Sequence, residues 1–213
     1  PKTLAAIREA MEAIDATGEV VVVDNNSTDR TADVAREHGA RVVFEPDNQI
    51  SRARNAGAKA SQARWLVFVD ADTVMPPKLL QAALDNLAGG ECCGGGAVVE
   101  MDAELRPALW AVTRMWNTLA VRFGIAAGCF VYSLRKAFDE VGGFSLAVYA
   151  GEEVWFSRAM RQWGRRKGLS FKVIPGPPAL TSSRKLDWHS VFGLLANMLM
   201  LVFFPFVTRY RRC

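Results

Sequence analysis

The feature of this sequence that most limits its possible folds is a run of consecutive apolar residues, Trp65–Val69, followed at once by an acidic turn. A run that is apolar on every residue, not on alternate residues, indicates a strand covered on both faces. Similar runs at 19–23 and 42–44 alternate with helix-like stretches at 28–38 and 51–60. This alternation predicts an α/β, Rossmann-like fold, with a mostly parallel sheet and helices on both faces.

Beyond this first half, the sequence predicts a less regular arrangement. Residues 89–96 are rich in glycine and are expected to form a loop before a strand near 97–101. A stretch with apolar residues at helical spacing, 105–121, precedes another strand near 129–133. We therefore expect strands of mixed direction in this half.

The composition changes sharply after Trp188. The uncharged run 191–207 is about 17 residues long, at the lower limit for crossing a bilayer, and three arginines follow it. We therefore divide the chain into a main domain, residues 1–186, and an apolar C-terminal helix with a basic tail, residues 187–213. This helix is expected to dock on or enter a membrane, with its arginines at anionic headgroups. A core helix that closes the main domain is the alternative.

Charge and cysteine usage narrow the classes of partner and compartment. The net charge is +4 and the sequence pI is about 9.1, but the basic residues are spread along the chain without a nucleic-acid-binding motif. We therefore expect no nucleic-acid partner.

The four cysteines include the adjacent pair Cys92 and Cys93 and show no disulfide spacing. No signal peptide is evident at the start, so a cytoplasmic location is expected, at the inner face of a membrane if the apolar helix docks there.

Two aspartates, Asp70 and Asp72, follow the most apolar strand. In an open α/β sheet, the carboxyl ends of the strands face the ligand crevice. Two carboxylates spaced in this way can bind one hard cation, Mg²⁺ or Mn²⁺, and leave room for phosphate oxygens of a substrate. The pair therefore predicts a metal site that neutralises a leaving diphosphate, although an acidic turn alone would look similar.

A second strand, residues 21–23, also ends in polar residues, Asp24 and Asn25. Their side chains could bind ribose hydroxyls and base edges, and Ser27 or Thr28 could cap the helix that follows. Ordinary turn chemistry explains these residues equally well, so both interpretations stay open.

Five short segments, taken in order and spacing, carry a specific resemblance. Together they resemble the inverting family-2 glycosyltransferases of the GT-A fold, and the likeness extends over about residues 4–185. The segments are Val22–Thr31, Ser51–Gly57, Phe68–Asp72, Gly142–Phe144 and Gly151–Glu153.

The resemblance implies a nucleotide-diphosphate sugar as donor and inversion by single displacement. It places Asp24 and Asn25 beside the nucleoside, Arg54 near the base or the phosphates, and Asp70 and Asp72 at the ribose and metal. The acceptor hydroxyl is not defined, and a lipid-linked acceptor or a glycan would fit.

The resemblance also extends to a basic segment near the end of the main domain. Arg184 and Lys185 resemble a family segment that binds the donor diphosphate, since cations bind phosphate oxygens well. His189, four residues further on, could reach the metal or the diphosphate, although a lone histidine is more often structural.

An acidic pair, Glu152 and Glu153, opens the helix that follows residue 151. Acidic residues are favoured in a first helical turn for electrostatic reasons alone. In the family, the second member of this pair removes the proton from the acceptor hydroxyl, so Glu153 is the candidate general base. Because the family more often has aspartate there, Glu152 stays open as the alternative base.

One family feature is missing from the sequence. Family members have a strand before the helix that here begins near Pro1, and that strand contributes to the nucleoside pocket. We therefore expect the sequence to be a fragment of a longer product, because a sheet that lacks a central strand exposes backbone groups that need partners.

Two other functions are considered. The stretch around Asp70 also resembles the first motif of haloacid-dehalogenase-like phosphatases, in which the first aspartate is a nucleophile. The chain lacks that family's further acidic motif, which makes this alternative weaker. A non-catalytic module that binds sugar nucleotides is the third hypothesis, because the missing strand and the unusual Glu153 could reflect lost activity.

Overall fold

The computed structural model of the protein describes residues 1–148, 151–183 and 193. Helices and strands alternate along the chain, as the sequence predicts. The helices are α1 (Lys2–Ala13), α2 (Thr31–Glu37), α3 (Ile50–Ala60), α4 (Pro77–Ala88), α5 (Pro107–Phe123), α6 (Arg135–Val141) and α7 (Glu152–Lys167). The strands are β1 (Val21–Asp24), β2 (Arg41–Phe44), β3 (Trp65–Val69), β4 (Thr73–Val74), β5 (Cys92–Met101), β6 (Phe130–Leu134) and β7 (Ser170–Thr181).

The first half forms a βαβ unit. Strands β1 and β2 pair in parallel from Val21 opposite Arg41 to Asp24 opposite Phe44, and α2 makes the crossover between them. The cap of α2 differs from the prediction. The residue before its first turn is Arg30, not Ser27 or Thr28, and no side chain caps the helix. Asp29 accepts a hydrogen bond from the N–H of Thr31, two residues on, at 2.9 Å.

The remaining described strands form a second sheet, in the order β3-β6-β5-β7-β4. Only β5 and β7 pair in parallel there, while β3 with β6, β5 with β6 and β4 with β7 are antiparallel. The prediction of a mostly parallel sheet is therefore wrong for the described strands, which form mixed sheets. A consecutive apolar run indicates only that both faces of a strand are covered. An antiparallel strand between two helical layers is also covered on both faces, so the run does not determine strand direction.

Helical layers cover both faces of the five-stranded sheet, as predicted. On β6, Phe130 and Tyr132 point into a cluster with α1 and α4, while Val131 points into the opposite cluster. The second cluster contains three packed rings, with Phe144 and Phe156 stacked at 4.3 Å between centroids. The alternation along one strand thus fills two apolar layers.

The expected loop at 89–96 is largely strand instead, because β5 begins at Cys92. Its glycines allow strands to approach closely. A Cβ atom on Gly95 would lie 1.7 Å from the carbonyl oxygen of Lys172 on β7 and 2.6 Å from the hydroxyl of Tyr132 on β6. A glycine-rich stretch here marks close backbone packing, which composition alone does not separate from a loop.

The predicted C-terminal segment falls almost wholly beyond the described part of the chain. Residues 187–213, except Gly193, lie outside the described residues, as do Arg184, Lys185 and His189. Among the described helices, none has the length and apolar character needed to cross a bilayer.

Candidate active site

The centre of the candidate site is Arg54, a buried arginine on α3. One of its terminal nitrogens donates to Oε1 of Glu152 at 2.8 Å. The other donates to Oδ1 of Asp70 at 3.0 Å and to the carbonyl oxygen of Gly128 at 2.7 Å. Its guanidinium also lies 5.1 Å from the centre of the Phe144 ring. Arg54 therefore joins the end of β3 to the start of α7.

The charge on Arg54 is held in place by its partners. Burial alone lowers the pKa of this guanidinium, but the negative charges of Asp70 and Glu152 outweigh burial, and the pKa is raised overall. Arg54 therefore stays cationic, and its single positive charge offsets half of the negative charge of the two carboxylates it bonds.

Glu153 lies beside this network without such a direct ion pair. Burial, followed by the negative charge of Glu152, raises the pKa of Glu153 to about 7, although Arg54 and a backbone hydrogen bond lower it in part. A position for Cβ on Gly128 would lie 3.6 Å from Oε2 of Glu153, so the carboxylate faces this glycine. A carboxyl group that titrates near neutral pH is suited to general-base work.

Asn55, next to Arg54 on α3, fixes the segment that leads to α7. Its side chain donates to the carbonyl oxygen of Phe144 at 2.8 Å and accepts from the N–H of Phe144 at 2.9 Å. Gln49 donates to the carbonyl oxygens of Leu146 and Val148 at 3.0 and 3.1 Å. Neither residue was assigned a role from sequence. The signal was present, since Asn55 and Phe144 both occur in the quoted motifs.

Asp72 lies in the short turn between β3 and β4. The N–H of Thr73 donates to the carbonyl oxygen of Asp70 at 3.0 Å, which closes the turn, and the Thr73 hydroxyl lies 3.2 Å from that of Thr181 on β7. Both aspartates thus belong to one turn at the carboxyl end of β3, as predicted. Their carboxylate oxygens are the ligand type that Mg²⁺ and Mn²⁺ prefer.

The described residues do not form a complete metal cage. No group of three or more His, Cys, Asp or Glu side chains within residues 1–148, 151–183 and 193 is placed to hold a metal ion. Two carboxylates fit a Mg²⁺-type site that keeps positions for substrate oxygens, so the donor set is compatible with such an ion but does not enclose it.

At the end of β1, Asp24 makes a hydrogen bond within its own turn, and Asn25 bonds the segment that follows β2. Oδ1 of Asp24 accepts from the N–H of Ser27 at 2.9 Å. The side-chain amide of Asn25 donates to the carbonyl oxygens of Glu45 and Asp47 at 3.1 and 2.6 Å. The Asp24 contact agrees with the turn interpretation, whereas the Asn25 contacts tie the end of β1 to the segment after β2. A role of either residue in nucleoside binding stays a prediction.

The structure brings together Arg54, Asp70, Glu152 and Glu153 and places Asp72 on the same turn as Asp70. Three of the five N–H groups of Arg54 are bonded to protein acceptors. The geometry therefore favours a positioning role for Arg54 over the predicted direct contact with the donor.

Comparison with known sequences identifies relatives for most of the chain. The sequence profile described as Glycosyl transferase family 2 matches residues 1–142. An uncharacterised glycosyltransferase of Mycobacterium tuberculosis is 46% identical over 80 residues, which are 36% of this chain and 36% of that protein. The dolichyl-phosphate hexose transferase of Haloferax volcanii is 34% identical over 95 residues, 45% of this chain and 41% of that protein. The chain thus spans well under two thirds of these relatives.

Solved structures show the same fold. Glucosyl-3-phosphoglycerate synthase from Mycobacterium tuberculosis, solved with Mn²⁺, UDP and glucosyl-3-phosphoglycerate, superposes with a TM-score of 0.63 at 19% identity, covering 94% of this chain and 75% of that one. A mannosyltransferase from Pyrobaculum calidifontis, solved with GDP-Man and Mn²⁺, gives 0.62 at 17% identity, covering 93% and 66%.

These likenesses confirm the predicted GT-A fold class. The profile match also argues against the phosphatase alternative, because it covers the turn after β3 on which that alternative depended. The chain belongs to glycosyl transferase family 2.

Proposed function

We propose that this domain transfers a sugar from a nucleotide-diphosphate donor to an acceptor hydroxyl, with inversion at the anomeric carbon. The observation that carries the proposal is the network in which Arg54 joins Asp70 to Glu152, with Glu153 beside it. This network puts a turn suited to metal and diphosphate next to a carboxylate suited to proton removal. The solved relatives with UDP or GDP-Man and Mn²⁺ support a donor of this class.

Glu153 is the proposed general base. It takes the proton of the acceptor hydroxyl while that oxygen forms a bond to the anomeric carbon, and the bond from that carbon to the diphosphate oxygen breaks. The electron pair of the broken bond leaves with the diphosphate. Because attack and departure occur on opposite faces in one step, the anomeric configuration inverts.

Glu152 is assigned a positioning role. Oε1 of Glu152 is held by Arg54 at 2.8 Å and the side chain is only 7% exposed, so it is poorly placed to meet an acceptor. Glu153 has no such ion pair and has a pKa near neutral. This difference supports Glu153 over Glu152 as the proposed base.

Asp72 and Asp70 are the proposed metal ligands. A bound Mn²⁺ or Mg²⁺ would neutralise charge that develops on the leaving diphosphate. One oxygen of Asp70 is bonded to Arg54, which orients the carboxylate and leaves its other oxygen for the ion or the ribose. Asp24 and Asn25 are proposed to contact the nucleoside. Arg184 and Lys185 are proposed to contact the diphosphate, and His189 is proposed to contact the diphosphate or the metal.

The hydroxyl-bearing acceptor is proposed to be a lipid-linked molecule or a glycan at the cytoplasmic face of a membrane. The partial likeness to a dolichyl-phosphate hexose transferase supports the lipid-linked class. The uncharged run at 191–207 with its basic end is the segment that would make the peripheral contact.

The decisive experiment compares two adjacent substitutions, Glu153→Gln and Glu152→Gln. UDP-glucose and GDP-mannose, each with Mn²⁺, serve as donors, and the product is followed by NMR at the anomeric proton. Glu153→Gln is expected to lower kcat by about 10² to 10⁴ with little change in donor affinity. Glu152→Gln is expected to lower stability as well as rate. Retention of anomeric configuration in the product contradicts the mechanism.

A second experiment tests whether Asp72 is a metal ligand. Asp72→Asn is expected to weaken Mn²⁺-dependent binding of UDP while leaving the thermal midpoint of the free protein nearly unchanged. Equal UDP affinity and equal Mn²⁺ dependence in the variant and the parent protein would show that Asp72 is not a ligand.

A further inference from the structure

Two segments of the chain that meet in the fold carry a large excess of positive charge. Residues 106–124, which include α5, and residues 154–172, which include most of α7, contain nine of the 26 lysines and arginines and none of the 22 aspartates and glutamates. Because the whole chain has a net charge of +4, the remaining residues carry −5. We propose that the surface where these two segments meet binds the anionic headgroups of a lipid bilayer.

Contacts at the end of α5 join the two segments. Gly124, which ends α5 in a left-handed conformation, lies against Arg161 of α7, with a Cβ position 3.3 Å from Cδ of that arginine. The loop that follows is fixed to the same helix, because the Ser157 hydroxyl accepts a hydrogen bond from the N–H of Ala126 at 3.0 Å. The last turn of α5 therefore lies beside the middle of α7.

The basic surface is formed by exposed or half-buried residues around this contact, namely Val121, Arg122 and Phe123 of α5 and Arg158, Arg161 and Arg165 of α7. The three arginines of α7 are three and four residues apart, so they lie along one face of the helix. Val121 and Phe123 are 43% and 37% exposed, and the Arg122 guanidinium lies 5.9 Å from the centre of the Phe123 ring. Cations and apolar side chains are thus presented together.

The positive charges of this surface repel one another. Burial, followed by the positive charges of Arg165 and Arg158, lowers the pKa of Arg161. Within the described residues, no carboxylate forms a salt bridge with Arg122, Arg161 or Arg165. The helix dipole favours cations in the last turn of α7, but Arg158 and Arg161 lie before that turn. An anionic partner would offset this repulsion.

The basic surface has a limit toward the start of α5. There, Trp110 and Arg114 line a cavity together with the carboxylates of Glu100, Asp102 and Glu104. These acids reduce the positive potential at that end of the helix. The potential is therefore expected to be highest around the last turn of α5 and the arginines of α7.

The composition of the surface favours a bilayer over other partners. A second copy paired through the same surface would bring the same positive charge. Residues 184–213 contain five basic residues and one acidic residue, so they would also add positive charge. A nucleic acid would bind the arginines but leave Val121 and Phe123 exposed. In an anionic bilayer, phosphates pair with the arginines and the apolar side chains enter the boundary between headgroups and acyl chains.

This inference does not rest on the proposed reaction, because binding to vesicles needs neither a donor nor an acceptor. It also concerns a different surface from the uncharged run at 191–207. Glu153 precedes Arg161 by eight residues on α7, which is about 12 Å along the helix axis. A domain docked through the basic surface would therefore hold the candidate base close to the headgroups.

The test uses the 213-residue chain and sedimentation with vesicles, without donor or acceptor. At low salt, the chain is expected to bind phosphatidylcholine vesicles that contain about 30% phosphatidylglycerol at least tenfold more tightly than pure phosphatidylcholine vesicles. Raising the salt concentration from about 0.05 M to about 0.3 M should reduce this difference, because salt screens the charges.

Matched charge variants locate the contact. Arg122→Gln/Arg165→Gln is expected to weaken binding to the anionic vesicles by about fivefold per arginine, roughly 25-fold in all. Arg122→Lys/Arg165→Lys keeps the charge and is expected to bind like the parent chain. The control Arg30→Gln/Arg36→Gln removes the same charge from α2, where the arginines are paired with Glu37 and Asp33, and should change binding by less than about threefold.

Phe123→Ser separates a bilayer from other anionic partners. It is expected to weaken binding to anionic vesicles by about fivefold, and to leave binding to a double-stranded oligonucleotide unchanged. The proposal is overturned if the chain binds neither kind of vesicle or binds both equally. It is also overturned if the two glutamine double variants lose equal affinity. An oligonucleotide that binds as tightly as the anionic vesicles, with Phe123→Ser weakening neither, would identify a nucleic acid as the partner and overturn the proposal as well.

Discussion

The two halves of the molecule differ in how completely they are packed. The β1–β2 half has apolar strands that are only partly buried, whereas in the five-stranded half β6 and most of β5 are almost inaccessible. The candidate base and its partner Glu152 stand on the tightly packed half, while the proposed nucleoside turn at Asp24 stands on the looser one. Helix α3 joins the halves, since Gly57 contacts β1 and Arg54 contacts Asp70. We infer that the proposed base is preorganised in the more tightly packed half.

The largest expected effect comes from filling a close contact in the packed half. Gly95→Ala would place Cβ 1.7 Å from the carbonyl oxygen of Lys172, so the β5–β7 pairing must open. We expect a loss of more than about 4 kcal/mol in the free energy of unfolding, measured by urea denaturation. Gly18→Ala is the control outside this sheet, because its nearest atom beyond its chain neighbours, Cε of Met11, lies 3.5 Å from the added Cβ. If Gly95→Ala and Gly18→Ala lowered the free energy of unfolding equally, the tighter packing of the five-stranded half would be contradicted.

The second prediction breaks the connection between the halves. Arg54→Met leaves Glu152 buried without its cation, and removing one member of a buried ion pair costs about 3–5 kcal/mol. The double variant Arg54→Met/Glu152→Gln is expected to be more stable than Arg54→Met alone, since it no longer buries that charge. Arg36→Met, at an exposed pair with Asp33, is the control and should cost less than about 1 kcal/mol. A strictly additive double variant would show that the pair is not coupled.

The difference between the two halves also explains which parts of the fold and site could be predicted from the sequence. The βαβ half follows from local signals, since apolar runs, helix spacing and polar turns all agree there. The acidic residues of the site were found because strand ends in this fold class face the ligand. The Glu152–Glu153 pair came from the family resemblance, as did the role given to Glu153.

The parts that sequence reasoning missed depend on contacts between distant segments. The direction of β6 beside β3 is not encoded in either strand, because each is simply apolar and covered. The glycines before Ala97 looked like a loop because their close contact with Lys172 lies far along the chain. The ion pair between Arg54 and Glu152 was not predicted because the two residues are almost a hundred positions apart. The role of Arg54 at the donor came from the family resemblance and stays a prediction.

The third prediction concerns pH and tests preorganisation in the packed half. The pKa of Glu153 is raised from 4.5 to about 7, so the folded protein holds this proton more tightly than the unfolded chain does. Its contribution to stability is full below pH 4.5 and is lost as the pH rises to 7, a change on the order of 3 kcal/mol. Glu153→Gln should remove this slope from urea-derived stabilities between pH 4.5 and 7. An unchanged slope would contradict the assignment.

The smallest effect comes from a matched pair of truncations, one in each half. Val131→Ala on β6 removes two methyl groups from a fully buried site and should cost on the order of 2 kcal/mol, because a cavity adds to the lost burial. Val22→Ala on half-buried β1 should cost less than about 1 kcal/mol by the same urea measurement. Equal costs at the two sites would mean that β1 is as enclosed as β6, and the difference between the halves would then be lost.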